Sequence, residues 1–78
     1  MKEKVKNILL DVRPELDFDT EQYLVSDGIF ESVDIITLVA ELEDEFSISI
    51  EPDLMVADNF DSLDKITNMV AKLVSDTQ

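Results

Sequence analysis

The chain contains no cysteine and no histidine, and it holds one glycine and two prolines in 78 residues. Without cysteine there is no disulfide, no thiolate metal site and no sulfur nucleophile. Without histidine the commonest general base and the commonest transition-metal ligand are missing too. So little Gly and Pro favours helix over a turn-rich β fold. No apolar run approaches the roughly 20 residues that a membrane helix needs. The charged start, Met1 to Lys6, has no apolar run of the kind a secretory leader requires, so the cytoplasm is the expected location.

Positive charge is the other scarcity. Six Lys and Arg stand against nineteen Asp and Glu, a net charge of −13. The bases are Lys2, Lys4, Lys6, Arg13, Lys65 and Lys72; from Pro14 to Asp64 there are none, while sixteen acids lie there. Such a chain repels nucleic-acid backbones and anionic membrane surfaces. Its acidic middle suits docking to basic protein partners. Crowded acids also predict stability that rises with added salt, and as pH falls from 8 toward 6.

What is present is a 45% apolar fraction, ordinary for a folded protein. At this length a single domain, residues 1–78, is expected, near the lower limit for an unassisted core. Val5, Ile8, Leu9 and Val12 mark one face of a first helix, from about Lys2 to Val12, closed by Pro14. A long connection, Glu15 to Glu31, carries Leu16, Phe18, Tyr23, Leu24, Ile29 and Phe30, and is expected to pack onto the core. A second helix runs from about Ser32 to Phe46. Ile48 and Ile50 follow in a short extended piece. Pro52 opens a short helical turn through about Val56. The last helix runs from Asp61 or Ser62 to about Val74, with Ile66, Met69, Val70 and Leu73 on one face. The fold class is all-α: a small bundle of three longer helices and one short helix.

At about 100° per residue, Ile35, Leu38, Val39, Leu42 and Phe46 form the core stripe of the second helix. Asp34, Glu41 and Glu45 form an acidic stripe read as solvated. Val33, Ile36 and Ala40 form a second apolar strip bordered by Glu43 and Asp44. Such a strip suits protein docking; the alternative is burial beneath the short helix. Ser32 also has two readings. A serine at a helix start is an ordinary N-cap. Taken alone, that reading wins for most such serines; the functional reading is a place to attach an anionic phosphodiester, which free N–H groups and the helix dipole stabilise. It is not a catalytic nucleophile, since nothing nearby in the sequence could activate it. Asp17, Asp19 and Glu21 have the opening rhythm of a calcium loop, but Gln22 and Gly28 stand where its glycine and glutamate belong.

Taken together, the first helix, the long loop, Glu31-Ser32-Val33, the acidic second helix, Leu42-Glu43-Asp44-Glu45-Phe46 and Ile48-Ser49-Ile50 resemble the acyl carrier proteins. Asn59-Phe60-Asp61-Ser62-Leu63 with Ile66 is similar to the start of that family's last helix. The likeness covers nearly the whole chain. It implies a four-helix fold of acyl-carrier-protein type and a non-enzymatic role. Ser32 would bear 4′-phosphopantetheine, transferred from coenzyme A, whose thiol carries acyl or aminoacyl groups as thioesters, as in fatty acid biosynthesis and other lipid metabolism. It implies a monomer that meets a phosphopantetheinyl transferase and loading and transfer enzymes with basic patches. Docking would use Glu31, Val33, Ile36, Ala40, Glu43 and Asp44. The family motif is Asp-Ser-Leu, and the literal match is Asp61-Ser62-Leu63; its place at the last helix marks it instead as a cap. Thr37 stands where fatty-acid carriers usually have an acid. Asp27-Gly28-Ile29-Phe30-Glu31-Ser32 looks more like D-alanine and specialised carriers. A different class of function is an acidic adaptor that mimics nucleic acid or blocks a basic protein site.

Overall fold

Helix α1 spans Lys2–Val12 and stops where Pro14 forbids continuation; the Arg13 N–H closes it onto the Leu9 carbonyl at 2.9 Å. In the computed structural model, which describes residues 1–76, α2 follows at Ser32–Phe46, then a 3-10 turn at Pro52–Leu54, α3 at Ala57–Phe60 and α4 at Leu63–Asp76. No strand occurs among the described residues. Helix α1 packs on α2 and α4, α3 lies on α4, and α2 touches α4. No helix among the described residues is long and apolar enough to cross a membrane.

The periodic positions become the core. Val5 and Leu9 of α1, Leu38 and Leu42 of α2, and Ile66 and Val70 of α4 are fully buried. The expected partners Ile35, Val39, Phe46 and Leu73 are half-buried against them. The long connection does pack inward. Phe18, Leu24 and Phe30 are buried, and the Phe18 and Phe30 rings meet at 6.1 Å, tilted by 55°. Tyr23 does not join them and stays exposed. Ile48 and Ile50 are buried beyond the end of α2.

Three expectations need correction. The single turn expected from Pro52 to Val56 is two pieces: the 3-10 turn ends at Leu54, Val56 is extended, and α3 begins anew at Ala57. The Leu54 carbonyl accepts from the Val56 N–H at 2.9 Å and from Asn59 Nδ2 at 2.8 Å, which closes the first piece and anchors the second. Ser62 is the cap of α4, as its position predicted, so the helix itself starts one residue later at Leu63: Ser62 Oγ accepts the Lys65 N–H at 3.2 Å and its carbonyl the Ile66 N–H at 3.0 Å. It continues to Asp76 rather than stopping near Val74.

The third correction concerns the acidic stripe of α2. Asp34 and Glu41 are half-buried rather than solvated, and Glu45 is exposed beside Lys4 Nζ at 3.7 Å. Bases from the chain's ends fold back onto the acidic middle. Lys2 meets Asp64 at 2.7 Å, Lys6 meets Asp19 at 2.7 Å, and Lys65 meets Asp58 at 3.0 Å. Linear distance from a base therefore overstated how bare the acids are.

Candidate functional site

Ser32 opens the first turn of α2, but it is not the cap. Glu31 holds that position in extended conformation (φ −92°, ψ 169°). Its N–H donates to Asp34 Oδ2 at 3.0 Å, the return half of a capping box. The capping alternative for Ser32 thus gives way to Glu31. The Ser32 side chain is exposed, and its hydroxyl makes no hydrogen bond among the described residues. Ser62, the other candidate, is 3% exposed and occupied as the α4 cap.

Arg13 fastens the start of α2 from the outside. Its Nη1 donates to the Ile29 carbonyl and to Asp34 Oδ2, both at 2.9 Å, and its Nε to Glu15 at 2.7 Å. The hydrogen bonds that it donates to Glu15 and Asp34 raise the guanidinium's pKa further. The Glu15 carboxyl is held below the usual range by its own backbone N–H and by Arg13. One side chain therefore joins the end of α1, the loop before α2 and the first turn of α2.

A groove of about 280 Å³ lies beside Ser32, lined by Val25, Ile35, Ile36, Met55, Val56, Ala57 and Phe60. It brings together three walls from distant parts of the chain: the long loop, α2, and the segment running into α3. Every lining residue but Ser32 is apolar. Sequence reading missed the groove, because Met55 and Val56 were placed inside a helix that ends before them. Their signal was two adjacent apolar residues with no helical partner positions.

The strip on α2 is open. Val33 is 62% and Ile36 63% exposed, so the short helix does not bury them. Ala40 is exposed on the same face, Glu31 at its start and Asp44 near its end. Met55 and Val56 extend the apolar surface across the groove. Glu43 departs from the rest: it is half-buried, and its Oε2 accepts the Ile50 N–H at 2.8 Å. Its carboxylate holds the extended Ile48–Ile50 piece rather than simply bordering the strip. No group of three or more acids among the described residues is arranged to hold a metal ion.

Asp61 is the residue with the densest bonding near the groove, and sequence reading had given it only a capping role. It is 5% exposed. Its Oδ1 accepts the N–H groups of Val25 (2.9 Å) and Ser26 (2.8 Å), and its Oδ2 the Ser26 hydroxyl (2.6 Å). Its carbonyl accepts the Leu24 N–H at 2.8 Å. Burial alone would push its carboxyl up; the Ser26 hydroxyl and the two N–H groups outweigh that and hold it below the usual range.

No protein-family model and no curated protein matches this chain. The site combines an exposed hydroxyl at a helix start with no hydrogen-bond partner among the described residues, an apolar groove beside it, and an exposed apolar strip with acids at its ends.

Proposed function

We propose that the protein is an acyl carrier: a 4′-phosphopantetheine arm on Ser32 holds acyl or aminoacyl groups as thioesters and shuttles them between biosynthetic enzymes. The observation that carries this reading is the state of Ser32. Its hydroxyl is exposed and has no hydrogen-bond partner among the described residues, while the competing Ser62 is buried and bonded.

The residues present fit such an arm. The first-turn N–H groups of a helix have no intrahelical acceptor and favour an anionic oxygen. The nearby acids Glu31 and Asp34 oppose an anion, and Arg13 offsets one of them by its bond to Asp34. The chain has no histidine and no lysine near Ser32 in sequence to activate its hydroxyl, so the attachment is assigned to a separate transferase. In that step Ser32 Oγ bonds to the coenzyme A phosphorus that bears the pantetheine arm. The bond from that phosphorus to adenosine 3′,5′-bisphosphate breaks, and the hydroxyl proton passes to a base on the transferase. The arm supplies the thiol that the chain lacks. The strip of Val33, Ile36 and Ala40 with Glu31 and Asp44 offers a surface that basic partners could reach by electrostatic steering and leave again.

Intact mass spectrometry tests the proposal. The protein is incubated with coenzyme A, Mg²⁺ and a broad-specificity phosphopantetheinyl transferase. One arm is expected on the wild type and on Ser62→Ala, and none on Ser32→Ala. Modification that survives in Ser32→Ala and vanishes in Ser62→Ala would move the site. Failure of several transferases on the wild type would favour the acidic adaptor.

A further inference from the structure

Beside Ser32, one buried carboxylate ties two walls of the groove together. Val25 forms the loop wall, and Ala57 and Phe60 form the α3 wall. Among the described residues, every hydrogen bond between the loop at 24–30 and the segment at 57–63 ends on Asp61. The loop is closed on itself by the Phe30 N–H donating to the Leu24 carbonyl at 2.8 Å and the Gly28 N–H to that of Val25 at 3.0 Å. Gly28 takes the left-handed conformation (φ 74°) that lets this turn close. The same loop then leads directly through Phe30 and Glu31 into Ser32. Anything that fixes Leu24 to Ser26 therefore fixes both the wall facing Ser32 and the approach of the chain to it.

We infer that Asp61, together with Ser26, is a positioning residue for arm transfer: it holds the loop against α3 so that Ser32 and its groove are presented in one geometry. This rests on the carrier reading above. Asp61 touches no reacting atom. It acts through the loop, and its effect on the reaction is to keep the acceptor hydroxyl where a transferase can align it. Small misplacement of a reacting group is enough to slow transfer strongly.

The experiment compares steady-state arm transfer to the wild type, Asp61→Ala, Asp61→Asn, Ser26→Ala and Val70→Ala. It is run at a temperature where circular dichroism shows each variant folded. Val70 is fully buried on α4 and lines no part of the groove, so its truncation controls for loss of stability alone. Asp61→Ala is expected to lower kcat on the order of tenfold, the scale of a modest misplacement. Asp61→Asn keeps an oxygen for the two N–H groups and is expected to recover most of the rate. Ser26→Ala, which loses only the hydroxyl bond, should fall in between. Val70→Ala should transfer at the wild-type kcat. Wild-type kcat in folded Asp61→Ala overturns the inference, as does an equal fall in Val70→Ala, and both leave the carrier reading standing. Absence of transfer to the wild type removes the carrier reading and this inference with it.

Discussion

Replacing Asp61 by alanine removes the acceptor of three hydrogen bonds at once, from the Val25 N–H, the Ser26 N–H and the Ser26 hydroxyl. Hydrogen bonds to a charged group each contribute about 1.5–3 kcal/mol. The full sum overstates the loss, because Ser26 is exposed and Val25 half-buried, so water can reach the freed donors. A net loss of about 3 kcal/mol is the reasonable expectation, and for a domain of this size that lowers Tm by roughly 12–24 °C. Domain stability at this length is only about 4–12 kcal/mol, so the variant stays folded in the cold but melts early. Asp61→Asn should lose much less. The pH arm has a definite sign. The folded carboxyl titrates below its ordinary value, so its contribution is complete above about pH 4, the unfolded value, and is lost as pH falls through the folded one. Thermal melts followed by circular dichroism from pH 7 to pH 3 should show a constant wild-type-to-alanine gap down to about pH 5, narrowing below about pH 4. That is the reverse of the acid-crowding trend expected from the sequence, and Glu15 acts in the same reversed direction. A Tm within 2–3 °C of wild type, less than about 0.8 kcal/mol, would refute the reasoning, as would a gap unchanged at pH 3.

Asp44→Lys should slow transfer to a basic partner at low salt and leave the melt unchanged, as measured by stopped-flow or turnover against ionic strength; wild-type rates at low salt would dismiss the surface. Glu43→Lys should in addition lower Tm, because it strips the Ile50 N–H of its acceptor, and an unaltered melt would show that bond to be dispensable. Ser47 sits in the left-handed region (φ 54°) at the end of α2, so Ser47→Gly should raise Tm by a few degrees, about 0.5 kcal/mol after glycine's own entropy is counted; a lower Tm would contradict it. With a net charge of −13, the wild-type Tm should climb as NaCl goes from about 10 to 300 mM; a flat or falling curve would mean the cross-chain ion pairs outweigh the repulsion.

Local pattern carried the helices. The spacing of Val5, Ile8 and Leu9 in α1, of Leu38 and Leu42 in α2, and of Ile66, Met69 and Val70 in α4 is a property of consecutive residues. Helical sterics act over three or four positions, so the bounds of α1 and α2 were legible to the residue. The acidic middle and the serine that opens α2 were legible for the same reason. What the sequence could not show depends on residues that meet only after folding. Asp61 reaches Val25 and Ser26 across 36 and 35 positions, and Arg13 reaches Asp34 across 21. Nor did spacing alone show that Glu31 caps α2 while Ser32 stays exposed, that Ser62 is buried at the start of α4, or that Glu43 is tied to Ile50. The groove arises likewise, from three segments with no shared periodicity. Periodicity reports which face of a helix is apolar; only packing decides what covers that face, and on α2 it leaves Val33 and Ile36 in water.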